Sequence, residues 1–278
     1  MSITKAIIPV AGWGTRRLPI TKTIEKCMLP IGNRPIVDYV VRDCLLAGID
    51  ELIFIVGEDS TQLEDYYRSN IKLNDYLERN GKSDKLPMVA ALKNVKLHFI
   101  TQPSYGKYGT AVPVALASEY IGAGESAVVL MGDDFIWNKD GSSEVKRLIE
   151  STPNGECGLL AAEVPKDEVS RYGVIERDSD GNYIRIIDQP KPDEAPSNLI
   201  NISKYILTKE VIDAAASLPP ASNGEYQLPD AINDYVTGGG AVKVVPAKGE
   251  YLDGGTLEGW LHANNIVLGF AHNGVGVK

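Results

Sequence analysis

Two β-branched runs, Ala6 to Val10 and Glu51 to Gly57, flank a stretch from Pro35 to Ala47 in which Ile36, Val37, Val40, Val41, Cys44 and Leu45 recur at helical spacing. Proline at its first turn and Gly48 just beyond its end mark the limits of a helix. Strand, helix and strand in that order make a βαβ unit. Its crossover requires parallel strands, which commits the chain to an α/β sheet with covered faces. The loop between the first strand and the helix is unusually long.

That loop reads Ala11-Gly12-Trp13-Gly14-Thr15-Arg16-Arg17-Leu18-Pro19, followed by Lys22, Lys26 and Met28-Leu29-Pro30. Glycine reaches positive φ and admits close approach of a ligand, so successive N–H groups can point at phosphate oxygens. Arg16, Arg17, Lys22 and Lys26 would then neutralise charge during phosphoryl transfer. A glycine-rich turn with solvated cations fits the same residues. Two familiar motifs are excluded: Arg17 stands where the dinucleotide fingerprint needs its third glycine, and no Gly-Lys-Ser/Thr closes a P-loop.

Further along, strands are expected at Val95 to Thr101, Ala127 to Met131, Gly158 to Val164, Asn198 to Leu207 and Ala241 to Pro246. Helices are expected at Ser60 to Ser69, Thr110 to Tyr120, Lys209 to Ser217 and Thr256 to Phe270. Ile71 to Leu92 is a polar insertion with weak helical periodicity, over the site or at a subunit contact. Tyr172 to Arg177, a Ser-Asp-Gly-Asn turn and Tyr183 to Ile187 form a β-hairpin. The whole is a Rossmann-like, mostly parallel central sheet with helices on both faces and one hairpin excursion. In such sheets ligands bind beyond the carboxyl ends of the strands.

The chain has 278 residues, enough for one large α/β domain or two small ones, and a net charge of −9 that disfavours a nucleic-acid groove. No apolar stretch has membrane-spanning length and no signal-peptide pattern opens the sequence, so a cytoplasmic location is expected. Cys27, Cys44 and Cys157 are widely spaced and odd in number, against a disulfide framework or a zinc site. His98 lies in a strand-like run, as a packed or surface residue.

The fourth main strand runs into Gly132-Asp133-Asp134, and Tyr251-Leu252-Asp253-Gly254-Gly255-Thr256 gives a second acidic strand end. Carboxylates so placed suit Mg²⁺, which takes few protein oxygens and completes its shell with phosphates. Either acidic residue alone also suits a helix cap or a solvated turn.

With these residues in view, the chain resembles the nucleotidyltransferases that join a sugar 1-phosphate to a nucleoside triphosphate, nearest to the bacterial UTP–glucose-1-phosphate uridylyltransferases. The likeness runs through Gly12-x-Gly14-Thr15-Arg16, Leu18-Pro19-x-Thr21-Lys22, Lys26-x-Met28-Leu29-Pro30, Gln102, Gly109-x-Ala111-Val112, Asp133, Tyr172-Gly173-Val174, Ala195-Pro196-Ser197-Asn198, Glu225-x-Gln227-Leu228-x-Asp230 and Asp253. It implies a nucleotide-diphospho-sugar transferase (GT-A-like) fold in one domain, with a nucleotide half to about residue 135, a sugar half to about 255, and a C-terminal helix and tail. It assigns Arg16 and Lys26 to the triphosphate, and Asp133 and Asp253 to Mg²⁺. Ala11, Gly12, Gly14, Thr15, Gln102 and Gly109 fall to the nucleotide, and Tyr172, Gly173, Asp188, Gln189, Lys191 and Asn198 to the sugar phosphate. Asp133, Arg16 and Lys26 would be catalytic. The substrates implied are UTP, or dTTP, and a sugar 1-phosphate, with no nucleic acid or membrane partner, in a homo-oligomer.

Three departures bear on this. Asp188-Gln189-Pro190 replaces the family's Glu-Lys-Pro, so a phosphate-facing charge is missing, and Lys191 would share the face of Gln189 in an extended segment. Thr110 stands where the uridylyltransferases commonly have histidine. The Tyr251 to Thr256 stretch is nearer that of thymidylyltransferases. A thymidylyltransferase, a transferase for another sugar 1-phosphate, and a non-catalytic sugar-nucleotide-binding paralogue are the other readings.

Overall fold

The computed structural model describes residues 3–269. Its elements in chain order are β1 (Lys5–Pro9), β2 (Pro30–Ile31), β3 (Arg34–Pro35), α1 (Ile36–Leu46), β4 (Glu51–Val56), α2 (Gln62–Tyr67), α3 (Ile71–Arg79), β5 (Lys96–Thr101), α4 (Ala111–Leu116), β6 (Ser126–Leu130), β7 (Asp134–Trp137), α5 (Glu144–Ser151), β8 (Cys157–Glu163), β9 (Gly173–Arg177), β10 (Tyr183–Asp188), β11 (Leu199–Thr208), α6 (Lys209–Ala214), α7 (Leu228–Thr237), β12 (Val242–Pro246), β13 (Glu250–Asp253) and α8 (Leu257–Val267).

Nine strands form the main sheet, ordered β10-β9-β11-β6-β1-β4-β5, with β8 beside β11 and β12 beside β8. The sheet is mostly parallel: β1, β4, β5 and β6 pair in parallel, as do β8 and β12, and only β11 and β10 run against the rest. Successive side chains of β1 face opposite cores. Ala6 and Ile8 pack with Val37 and Val41 of α1, Leu148 of α5 and Leu252 of β13, while Ile7 packs with Val114 of α4, Val211 of α6 and Ile232 of α7. Both faces are therefore covered, which is why the parallel strands read as continuous apolar runs.

The sugar-half hairpin is placed by β11. At Ile200, β8 pairs along one edge of β11 and β9 along the other. From Lys204 onward β6 occupies the edge that β9 held. The change coincides with an irregularity between Asn201 and Lys204, where Ser203 takes φ +53. The hairpin thus begins where β6 ends, at the carboxyl edge of the sheet.

Several boundaries differ from expectation. Thr110 to Tyr120 divides into α4 and a 3-10 turn, Ser118–Tyr120. The polar insertion holds α3, capped by the Asn70 side chain, which accepts from the Leu73 N–H at 3.0 Å. The expected end of α8 at Phe270 lies outside the described residues. Asp134 opens a strand, β7, where only a loop was expected, and β7 pairs antiparallel with β13. The three cysteines are buried and unpaired.

Helix α5 was not anticipated, and it carries a buried carboxylate that organises its surroundings. Glu144 is 2% exposed, bonds Arg147 and accepts from the backbone N–H groups of Lys248 (2.9 Å) and Gly249 (3.0 Å). These residues lead into β13, so Glu144 fixes the approach of the strand that ends in Asp253. Glu144→Ala leaves two amides without their acceptor and Arg147 without its counter-charge, with Pro246 O still accepting from it. We expect a loss of about 3–5 kcal/mol, read as a lowered urea midpoint; an unchanged midpoint would contradict this account.

Candidate active site

The long loop leaves β1 between two neighbours. Val10 N–H donates to Ile55 O (2.8 Å) in β4, and Gly132 N–H donates to Pro9 O (3.2 Å) beyond β6. Gly14 then adopts φ +64, where a Cβ would lie 2.9 Å from Thr21 Cγ2 and 3.0 Å from Lys26 Cβ. Only glycine fits that conformation beside those atoms without strain. The Thr21 hydroxyl donates to Gly14 O at 2.9 Å, so the loop doubles back on itself and carries Lys26 inward. Glu25 anchors the fold-back from outside, accepting from Ser60 Oγ (2.7 Å) and Gln62 N–H (3.0 Å) at the start of α2.

Lys26 Nζ forms an ion pair with Asp133 Oδ2 at the end of β6, both side chains being partly shielded. Asp133 O accepts from Gly254 N–H at 3.1 Å, which draws the turn after β13 against it. Asp253 Oδ1 in turn accepts from Gly255 N–H at 2.6 Å, and a Cβ on Gly255 would lie 3.2 Å from Lys26 Nζ. Lys26, Asp133 and the Asp253 turn thus meet at one place.

The neighbouring acidic residue has a different role. Asp134 is buried, pairs with the 3% exposed Lys204 of β11, and accepts from Tyr251 Oη at 3.1 Å. Burial pushes its pKa up to about 6, against the lowering effect of Lys204. The acidic pair at the strand end is therefore split into Asp133, facing the loop cation, and Asp134, committed to the core.

The four loop cations are not equivalent either. Arg16 is exposed and has no ion pair among the described residues. Lys22 is exposed. Arg17 is 7% exposed, and its Nη1 donates to Thr256 O (2.7 Å) and Gly254 O (3.3 Å). The expectation that Arg17 would be a free counter-charge is corrected: its bonds go to the backbone of the β13–α8 turn.

Gln102 follows β5, its N–H donating to Val56 O at 2.8 Å, which sets it at the same sheet edge as Ala11 and Gly12. Gly109 takes φ +123 against the backbone of Tyr226, where a Cβ would fall 2.4 Å from Tyr226 O. Ala111 N–H donates to that same oxygen, and Thr110 Oγ1 accepts from Leu228 N–H, both at 2.9 Å. Thr110 thus has a local role, fastening the start of α7 to this loop.

In the sugar half, Gly173 pairs with Asp188 across the hairpin, and Gln189 N–H donates to Tyr172 O at 3.0 Å. Asn198 immediately precedes β11 and its carbonyl accepts from Val164 N–H at 3.1 Å. The structure so gathers Tyr172, Gly173, Asp188, Gln189 and Asn198 around one end of the hairpin. Gln189, however, takes φ +44. The segment is not extended there, so the two-residue spacing no longer puts Lys191 and Gln189 on one face. Lys191 Nζ instead meets Glu194 Oε1 at 3.2 Å, well exposed.

No group of three or more His, Cys, Asp or Glu is arranged to hold a metal among the described residues. Two carboxylates are what a hard divalent cation needs when phosphates supply its other oxygens. Asp133 and Asp253 fit that requirement: they are joined through Gly254, and neither is fixed to a buried cation as Asp134 is. Sequence reasoning gave Arg17 a different role and missed Lys204 and Tyr251; the one charged residue of the strand-like run Ile200 to Leu207 was the available signal for Lys204.

Because the folded pKa of Asp134 lies above its ordinary value, its ionisation opposes folding. The stability it is linked to is whole below about pH 4 and declines as pH rises through about 6. Lys204→Met removes the charge that limits this rise. Its destabilisation relative to the parent should grow between pH 4.5 and 7.5 in urea titrations. A pH-independent difference would show that Asp134 is not ionised in the parent protein.

The family model described as "Nucleotidyl transferase" matches residues 5–269. The UTP–glucose-1-phosphate uridylyltransferase of Streptococcus pneumoniae is 36% identical over 239 residues, covering 83% of this chain and 79% of that protein. Among solved structures, a UTP-bound enzyme from Acinetobacter baumannii superposes with a TM-score of 0.87 at 27% identity, covering 99% of this chain and 96% of that one. A UDP-glucose pyrophosphorylase complexed with UDP-glucose gives 0.80 at 28% identity, covering 96% and 99%. Enzymes of this kind generally use a divalent metal. On the match of sequence and fold together, the chain belongs to the nucleotidyl transferase family.

Proposed function

We propose that this protein transfers the uridylyl group of UTP to glucose 1-phosphate, giving UDP-glucose and pyrophosphate. The observation that carries the reading is the meeting of Lys26 from the glycine loop with Asp133 and the Asp253 turn at the carboxyl edge of the sheet. The relatives, by name and by bound ligand, favour uridylyl over thymidylyl transfer.

In this reading an oxygen of the sugar phosphate attacks the α-phosphorus of UTP, and the bond from that phosphorus to the bridging oxygen of the β-phosphate breaks. A phosphate monoester with a second pKa near ~6 is mostly dianionic at neutral pH, so the nucleophile needs no base. His98 is engaged elsewhere, at 2.9 Å from Glu51. What remains is positioning and charge stabilisation. Arg16 and Lys26 face the triphosphate. Lys26, paired with Asp133, would turn to phosphate when UTP binds. Ala11, Gly12, Gly14, Thr15, Gln102 and Gly109 receive the nucleotide. Gln102 supplies a donor and an acceptor to the base edge.

Asp133 and Asp253 would hold Mg²⁺, which would supply neutralisation of the phosphate charge that develops during transfer. Tyr172, Gly173, Asp188 and Asn198 bind the sugar. Gln189 stands where the family sets a phosphate-facing lysine, and Lys191, turned to Glu194, reaches phosphate only by leaving it. The two halves act as one domain. Leu257 and Leu261, exposed on α8, and Leu268 just past its end suit a homo-oligomer. Among the described residues no helix is long and apolar enough to cross a membrane, and we place the enzyme in the cytoplasm.

The test is pyrophosphate release with UTP or dTTP against several sugar 1-phosphates, with and without Mg²⁺. Release with UTP and glucose 1-phosphate, dependent on metal, is expected. No release with any pair would overturn the reading, and release with dTTP alone would overturn the base assignment. Asp133→Asn should lower turnover by about 10² or more, and full activity would remove Asp133 from the site. Gln189→Lys should raise turnover or sugar-phosphate affinity by roughly one to two decades if the missing charge is limiting.

A further inference from the structure

Arg17 is the loop residue whose surroundings the transfer reaction leaves unexplained. Its Nη1 bonds the carbonyls of Gly254 and Thr256, and its guanidinium carbon lies 5.2 Å from the centre of the Trp260 ring. Both carbonyls belong to the turn that directly follows Asp253. The same turn is held from within by Gly255 N–H, which bonds Asp253 Oδ1 at 2.6 Å. It is held from behind by Thr256 Oγ1, which caps α8 through Gly259 N–H at 3.0 Å. Trp260 is itself pinned, its indole N–H donating to Pro30 O at 2.7 Å. A planar, permanently charged group stacked on a fixed ring is well suited to hold two carbonyls in a set geometry.

We infer that Arg17 is a positioning residue for Asp253, clamping the carboxylate's turn to the nucleotide loop so that the metal carboxylate and the phosphate-binding cations keep one register. This rests on the transferase reading for its purpose, though not for its geometry. Loop and turn are far apart in sequence, and Arg17 is the side chain that joins the first 3-10 turn of the loop directly to the backbone beyond Asp253. Losing it frees the turn to move while leaving Asp253 chemically intact.

Two readouts test this with Arg17→Met. In the protein without substrates, amide hydrogen exchange over residues 253–256 should quicken by roughly tenfold or more, while exchange in β1 and β4 stays unchanged. In the presence of UTP, calorimetry with Mn²⁺ should show about tenfold weaker metal binding, and the double variant with Asp253→Asn should be no weaker than Asp253→Asn alone. Metal-free UTP affinity should not change. Unchanged exchange, additive losses in the double variant, or a loss confined to metal-free UTP binding would each overturn the proposal, the last by making Arg17 a phosphate ligand. Should Arg17→Met not fold, Trp260→Leu, which keeps the charge and removes its platform, must show the same acceleration in milder form, and unchanged exchange there would overturn the clamp. Failure of the parent protein to release pyrophosphate would fall on the transferase reading, with hydrogen exchange still deciding the clamp.

Discussion

The ion pair between Lys26 and Asp133 is the contact on which the rest of the site depends. A long loop rich in glycine and cations has no reason to lie against the sheet, since its charges favour water and its glycines favour disorder. The structure opposes this by fastening the loop at several points. Gly14 folds back on Thr21, Glu25 holds the start of α2, and Lys26 reaches the end of β6. The last two join the loop to a helix start and a strand end at the carboxyl edge. The loop thereby becomes a wall of the site rather than a tether.

Opposite that wall stands a carboxylate pair, Asp133 in the connection between β6 and β7 and Asp253 at the end of β13, a strand that pairs only with β7. The main sheet sets where β6 ends, and the small ribbon sets where Asp253 stands. Buried charges steady this second element: Glu144 receives the backbone before β13, and Lys204 with Tyr251 takes up Asp134. The arrangement leaves Asp133 and Asp253 with oxygens available for a cation whose remaining ligands are phosphates. In an acidic protein this is how anionic substrates are received, by local rather than net charge.

Much of this was legible in the sequence. The βαβ start, the parallel sheet, the hairpin and the two acidic strand ends follow from periodicity and turn chemistry, because strong local patterns coincide with the tertiary arrangement. What was not legible depends on contacts between distant residues. Arg17 looks like its neighbour Arg16, and only the position of the β13–α8 turn makes one buried and the other exposed. Asp133 and Asp134 are indistinguishable until β11 brings Lys204 beside one of them. The expectation that Lys191 shares a face with Gln189 assumed an extended backbone, and the positive φ of Gln189 removes that premise. Helix α5, though short, carries local signals of its own, a cap from Ser143, which accepts from Lys146 N–H at 2.9 Å, and an apolar face of Val145, Leu148 and Ile149.

Lys26 pairs with Asp133 and, in the proposed reaction, is needed at the triphosphate once UTP binds. Mn²⁺ binding to a Lys26→Met variant, measured with and without UTP, tests this most directly. Removal of the competing charge should tighten metal binding in the absence of UTP, and the further tightening that UTP confers on the parent protein should be lost. Weaker metal binding without UTP, or an undiminished enhancement by UTP, would contradict it.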